Sequence, residues 1–442
     1  MIDRSAAWVA QAAGGTLAGG EPDAPGPVRA VIDNREAGPG DLFVGLRGAS
    51  ADGGEFAPAA LEAGAWGALV GSEHSERAAA ASAGAAPVIA VDDPLAALQS
   101  LARAWRRELG CKVVGVTGST GKTSTKDILA AILGARLRTH ANLENLNTEI
   151  GLPLTILAAP ADTEAMVLEM AMRGEGQIAE LVAVAEPDVG VIVNVGPVHL
   201  ELLGTVERVA AAKAELIRDL RAGAACVVPA SEPLLEAHLR DDLDTITFGP
   251  GGEVMLLSFD AGRAEIEARG KLIELDLPYD EPHNLLNTLA AVGAALAVGV
   301  RPAGAVDPSF SSMRGEIVDL PGGVTVVNDC YNANPMSMRA ALQHLAETPA
   351  DRRVAVLGTM AELGPGSDAF HREIGEEASA LGIDVLVTVG EEAAGYGDGF
   401  DGESYATPTP EEAGALLEEI ALPGDRVLVK GSRSVGLERV LS

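Results

Sequence analysis

Residues 113–133 read VVGVTGSTGKTSTKDILAAIL: an apolar strand pattern, a glycine-rich turn and an Ala/Leu/Ile helix in immediate succession. That order suits a nucleotide's phosphates. Gly118 and Gly121 let backbone N–H groups approach anionic oxygens without a side-chain clash, and the helix N-terminus adds its positive dipole. Lys122 can meet the β- and γ-phosphates, and the Thr123 hydroxyl can ligate Mg²⁺. We therefore expect Gly118, Ser119, Thr120, Gly121, Lys122, Thr123 and Ser124 to contact ATP. Val116 stands where the general phosphate-loop pattern has glycine, so the loop is a variant. Kinases, switches, motors and ligases all use such loops, so binding alone does not name a reaction.

Other residue types could complete a site. Glu169 closes the apolar run AMVLEM and can join Thr123 on Mg²⁺, an ion that takes a few carboxylates and fills its shell with phosphate and water. A solvated strand-end carboxylate is the plainer reading. His199 follows VGVIVNVG, at the carboxyl end where α/β sheets place ligands, although a loop histidine can equally be a hydrogen-bonding residue. Lys213 lies in VERVAAAKAELIRDL, where sequence alone favours a snorkelling surface lysine. Asn284 and Asn287 open a long apolar helix and could be caps. Arg314 suits phosphate and Asp329 suits ribose hydroxyls. Tyr331, Asn332 and Asn334 form a polar loop after a strand, a setting where Asn also makes turns. Lys430 and Arg433 put two cations after a strand and point to anion capture.

These candidates need sheets to hold them. Short β-branched runs alternate with helical stretches through most of the chain: DLFVGL, WGALVG and PVIAV before residue 95, then KVVGVTG, AMVLEM, VGVIVNV and ACVVPA. VTVVND, RVAVLG, DVLVTVG and RVLVKGS follow after residue 314. That rhythm predicts parallel sheets covered on both faces. The helical run PLAALQSLARAWRREL precedes one junction, and DPSFSSMRG marks another. We expect three α/β domains: 1–108, small and N-terminal; 109–313, a central P-loop domain with a mainly parallel sheet; and 314–442, Rossmann-like.

Composition narrows the partners. The 442 residues carry a net charge of −32, which repels nucleic acid and anionic membrane and leaves anionic substrates to local cationic pockets. Lysine occurs six times, at 112, 122, 126, 213, 271 and 430; replacement by surface arginine explains the rarity but not the placement. Cys111, Cys226 and Cys330 show no paired framework, which predicts reduced thiols. The opening MIDRSAAWVAQAAGG lacks the charged and apolar regions of a leader, and the longest apolar stretch, Thr288–Val300, is too short to span a bilayer. A cytoplasmic monomer without membrane insertion is expected.

Taken in order, TGSTGKT, NLNTEIGLP (145–153), HLELLG (199–204), AAAKAEL (210–216), PHNLLN (282–287), DCYNANP (329–335), MAELG (360–364) and KGSR (430–433) resemble the Mur ligase family. DNREAGPGDLFVGLRG near the start extends the resemblance to the first domain. DCYNANP followed by MAELG is similar to the branch that adds D-alanyl-D-alanine.

The resemblance implies an ATP-dependent, ADP-forming amide-bond ligase of peptidoglycan precursor synthesis. ATP would phosphorylate the terminal carboxylate of UDP-N-acetylmuramoyl-tripeptide, and the amine of D-alanyl-D-alanine would attack the acyl phosphate. It implies two Mg²⁺ ions, with His199 on the second, and a carbamylated Lys213 (N6-carboxylysine) supporting it. It also implies Lys122, Glu169, His199 and Lys213 as the catalytic set, and Asn284 and Asn287 beside ATP. Asn145, Asn147 and Thr148 would face the muramoyl-peptide, Asp33, Asn34 and Arg35 the uridine diphosphate, and Lys430 and Arg433 a substrate carboxylate. The chain departs from the family at Asn34, more often Ser, at Gly54, more often His, and at Thr359, more often Asp. A diaminopimelate-adding relative would carry DNPR, which is absent here. A folate ligase would not be expected to share the DNREAGPGDLFVGL-type start or DCYNANP. A catalytically silent relative would have lost one of the catalytic set, and all four are present.

Overall fold

Five of the six residues of the strand Lys112–Thr117 are buried, so both of its faces must be covered, as a strand without polar alternation requires. It runs parallel to Ala165–Glu169 on one side and Val189–Ile192 on the other. Val114 and Val116 point to one layer, with Ile128, Leu129 and Ile132 of the helix Lys122–Gly134 and Leu289 and Val292 of the helix Pro282–Ala297. Val113 points the other way. It joins Leu98, Leu101 and Trp105 of the helix Pro94–Leu109, Ile178 of Gln177–Ala185 and Leu216 of Val206–Asp219. The three strands end on one edge, so the phosphate loop, Glu169 and the segment leading to His199 share it.

The computed structural model describes residues 1, 3–143 and 145–441. Their strands form three sheets of five, ten and six. The first runs Thr16–Gly19, Val88–Val91, Gly67–Gly71, Asp41–Val44, Arg29–Val31, parallel except for its first pair. Its Leu42, Leu69 and Ile89 belong to the same apolar cluster as Leu98, Leu101, Met166 and Leu168. The helix Pro94–Leu109 is the shared wall. It starts on an Asp93 cap with Pro94 in the first turn and stops at Gly110, whose φ of 60° is left-handed.

The central sheet corrects one expectation. Residues 254–276 do not alternate with helices; they form an antiparallel meander of Val254–Asp260, Arg263–Ala268 and Lys271–Asp276. Two-residue turns close both hairpins, Ala261–Gly262 with φ of 47° and 82° and Arg269–Gly270 with 51° and 75°, the positive-φ pairs that match strand twist. Burial alternates along Arg263–Ala268 and Lys271–Asp276, because only one face is covered.

The third sheet runs Glu316–Leu320, Val324–Asn328, Asp425–Lys430, Arg352–Gly358, Val385–Val389, Glu403–Thr407, with the first pair antiparallel and the rest parallel. Helices Pro335–Glu347 and Ser367–Ala380 cover one face and Pro410–Ile420 the other. Neither of its apolar clusters includes a residue before Met313. The segment leading to it is held on the central domain by Phe310, 5.4 Å from Tyr279 between ring centroids, and by Asp127, whose Oδ2 accepts from Ser311 N at 3.2 Å and Ser311 Oγ at 3.3 Å. Three cysteines are buried and free, and burial raises each thiol's pKa. No helix among the described residues is long and apolar enough to cross a membrane.

Candidate active site

The carboxyl edges of the central and third sheets face each other across a cavity of about 720 Å³. From the central side it is lined by Gly118–Ser124, Asn145, Asn147, Thr148, Glu169, His199, Lys213, Asn284 and Asn287. The third sheet adds Asp329, Tyr331, Asn332, Asn334, Lys430 and Arg433, and Arg314 comes from the segment between them. Most residues singled out in the sequence therefore meet in one place. Asp33, Asn34 and Arg35 do not. They lie beyond the strand Arg29–Val31 of the first sheet, where Arg35 folds back on Asp33 with Nε–Oδ1 at 2.9 Å and Nη2–Oδ2 at 2.5 Å. That pairing holds the Asp33 carboxyl down at about 2.

The phosphate loop is held tightly. Asn194 Oδ1 accepts from Ser119 N at 3.1 Å and from Thr120 N at 2.9 Å, and Ser119 Oγ exchanges hydrogen bonds with Gly196. Lys122 Nζ donates to Gly118 O at 3.0 Å. Gly121 has φ +73°, and a Cβ there would lie 2.5 Å from Asn287 Oδ1, so both conformation and space require glycine.

Glu169 is buried between two donors, the Thr123 hydroxyl at 2.8 Å and Asn147 Nδ2 at 2.8 Å. A hydroxyl and a carboxylate at hydrogen-bonding distance beside a phosphate loop are a donor set that fits Mg²⁺. Asn142, buried beneath, accepts from Glu169 N at 2.6 Å and fixes the strand end. Lys213 is 2% exposed on the cavity side, and burial with Lys122 nearby drives its amine well below 10.5. The surface-lysine reading is thus overturned. Burial also lowers Lys122 and His199.

His199 precedes the helix Leu200–Leu203 with φ 53°. Its Nδ1 hydrogen-bonds Glu362 of the third sheet's loops. Lys430 Nζ pairs with Asp329 Oδ2 at 2.5 Å and donates to Asn332 O at 3.1 Å, so those three residues form one unit. The Arg314 guanidinium lies 4.0 Å over the Tyr331 ring, and its Nε is buried without a hydrogen-bond partner. Arg433 pairs with Glu438 at 3.1 Å. Asn334 reaches the cavity, but its side chain caps the helix Pro335–Glu347 in a reciprocal box with Ser337, the turn-forming role rather than an open contact. Asn284 is in a first turn whose preceding residue is Glu281, to which its amide donates at 3.2 Å.

Sequence reasoning missed Asn142, Asn194 and Glu362. Asn194 lies in the run VGVIVNV and Glu362 in MAELG, so both were in quoted segments without a role. It also missed His74. A Cβ on Gly54 would run into the His74 ring, whose Nε2 lies 3.1 Å from Asp52.

Three family models match, in chain order: Mur ligase family, catalytic domain, over 30–106; Mur ligase middle domain over 116–295; and Mur ligase, glutamate ligase domain over 313–433. The chain belongs to the Mur ligase family. This Mur ligase is 36% identical to the UDP-N-acetylmuramoyl-tripeptide--D-alanyl-D-alanine ligase of Bacillus subtilis, covering 100% of the chain and 98% of that protein. It is 32% identical to the enzyme of that name in Escherichia coli, over 93% and 92%. The fold matches a crystal structure of MurF from Acinetobacter baumannii with a TM-score of 0.86, at 28% identity over 99% and 97% of the two chains. It matches MurF ligase from Thermotoga maritima in complex with ADP with a TM-score of 0.79, at 33% identity over 93% and 96%. The three-domain α/β architecture of this Mur ligase is that of these enzymes.

Proposed function

We propose that this Mur ligase joins D-alanyl-D-alanine to UDP-N-acetylmuramoyl-tripeptide at the expense of ATP, releasing ADP and phosphate. The observation that carries the reading is one cavity in which a phosphate loop from one sheet faces the polar loops of another that hold Asn332, Lys430 and Arg433. It agrees with the reaction named for the relatives.

A carboxylate resists amines because its oxygen is a poor leaving group, and phosphorylation makes that oxygen leave as phosphate. The chain's part is mainly positioning and charge. Loop amides 118–124 and Lys122 grip the nucleotide's phosphates, Asn287 backs the loop, and Arg314 and Asp329 serve the phosphate and ribose. Asn145, Asn147 and Thr148 orient the tripeptide, and the Lys430–Asn332 unit with Arg433 receives the carboxylate of the incoming dipeptide. Thr123 and Glu169 would hold one Mg²⁺ and His199 a second, supported by Lys213. Bound there, Mg²⁺ supplies positive charge against the crowded phosphate and carboxylate oxygens.

Burial favours the neutral form of the Lys213 amine, the form that adds CO₂: nitrogen forms the bond to carbon, one N–H proton is released to solvent, and a carbamate anion remains. Loss of activity in Lys213→Ala that short carboxylic acids restore is the expected outcome, and failure to restore it argues against the modification.

We assign the uridine-diphosphate end to residues 1–108 through Asp33, Asn34 and Arg35, ATP to 109–313, and the dipeptide to 314–442. A cytoplasmic monomer fits this assignment. Phosphate release from ATP should require both peptide substrates, with the joined product identified by mass. Lys122→Ala should cut turnover by about 10²–10³-fold, typical of removing one preorganised charge contact. Equal stimulation by a free amino acid, or an undiminished Lys122→Ala enzyme, would overturn the reading.

A further inference from the structure

The segment Met360–Gly364 connects the third sheet to the central one. It is fixed from its own side: Met360 N donates to His371 Nε2 at 3.0 Å, Ala361 N donates to Ser432 Oγ at 2.9 Å, and His371 is fully buried. On the opposite side Glu362 makes three contacts with the central domain. Its Oε2 takes His199 Nδ1, its Oε1 lies 3.4 Å from Arg173 Nε, and its backbone oxygen accepts from Glu201 N at 3.2 Å.

The backbone has been shaped for this meeting. Glu362 has φ +63° and His199 φ +53°, left-handed values that a non-glycine residue adopts at a cost and that surrounding structure must enforce. A Cβ on Gly364 would approach Glu201 Cα to 3.2 Å, and one on Gly196 would overlap the Met336 sulfur. The two domains therefore touch on either side of the pair, backbone to backbone at Gly364 and backbone to the Met336 side chain at Gly196.

A histidine has two ring nitrogens, and the partner of one decides which is left to bind a metal. With Nδ1–H given to Glu362, Nε2 is left with its lone pair. We propose that Glu362 is a positioning residue for His199: the C-terminal domain, on docking, fixes the tautomer and ring orientation of a central-domain ligand, so the second metal position is complete only in the docked arrangement. This rests on His199 being a metal ligand, as in the function proposed above.

The test uses the full chain with ¹⁵N-histidine labelling and no metal or nucleotide. His199 resonances are assigned by their loss in His199→Gln. Wild type should show the Nδ1–H tautomer. Glu362→Ala should shift His199 toward the Nε2–H form, and Glu362→Gln, whose amide oxygen still accepts, should keep it. With substrates added, the Mg²⁺ concentration giving half-maximal rate should rise about 10–100-fold in Glu362→Ala, the usual cost of losing a ligand's hydrogen-bond partner. Glu362→Gln should recover most of that rise, with the KM for ATP unchanged in both variants. An unchanged tautomer in Glu362→Ala overturns the inference while leaving His199 as a ligand. An unaltered Mg²⁺ dependence in His199→Gln removes the ligand reading itself, and the inference with it. Should Glu362→Ala not fold, Glu362→Asp, one methylene short of His199, takes its place with the same expected shift, and its absence is equally decisive.

Discussion

The central sheet is joined to its two neighbours in opposite ways. Toward the N-terminus one apolar cluster runs from Leu42 and Ile89 through Leu98 and Leu101 to Met166 without a break. Toward the C-terminus no apolar cluster among the described residues crosses; the contacts include His199, Arg173 and Glu201 with Glu362, the Met336 side chain against Gly196 and a close backbone approach at Gly364. Apolar burial is non-directional and resists separation, whereas a few polar contacts can be exchanged for water at small net cost. The first two domains should behave as one body and the third as a part that docks. A reaction that must admit three substrates and then exclude water has use for such a division.

The largest effect should come from damaging the apolar wall. Leu101 is completely buried, and Leu101→Ala should lower stability by about 2–5 kcal/mol. Denaturant melts should show the first and central domains losing structure together; separate transitions for those two would break the comparison. A wedge at the polar junction should act on rate instead. Beyond Gly196 the nearest atoms are all Met336's, so Gly196→Val should obstruct docking and lower kcat about tenfold, roughly 1.4 kcal/mol, with the unfolding midpoint unchanged. A drop in midpoint as large as that of Leu101→Ala would show the two junctions to be alike.

Lys213 gives a smaller, signed effect. In the unmodified chain its folded pKa is depressed below 10.5, so between the two values the unfolded chain binds the extra proton and stability rises with pH. Lys213→Met should be more stable than the wild type at neutral pH, and the advantage should shrink as pH climbs toward 10.5. Urea melts across pH check this, and an advantage that grows with pH would contradict it. Least of all, Arg35→Ala removes an exposed pair and should leave the melting temperature unmoved. It should raise the KM for the UDP-linked substrate alone, which steady-state kinetics would reveal.

Much of this was legible beforehand because it is local. The strand–turn–helix at 112–134 and the helix at 94–109, with its Asp-Pro start and Gly stop, carry their own signals. So did the gathering of cavity residues, since strands in parallel sheets deliver their carboxyl ends to one edge. The meander at 254–276 was missed because alternation there is imperfect and its turns use Ala-Gly and Arg-Gly rather than the commoner Asn-Gly. Lys213 was read as exposed because its own helix is rich in alanine; only the sheet packed on it shows that this face is inward. The pairing of Glu362 with His199 spans 163 positions and depends on how two domains meet, which no local pattern encodes.

Asp127 is five residues along the helix that begins at Lys122, and it grips Ser311, the start of the passage into the third domain. The passage into the third domain is thus tied to the same helix whose first residue belongs to the phosphate loop. Asp127→Ala should therefore loosen that passage while leaving the residues that line the cavity in place.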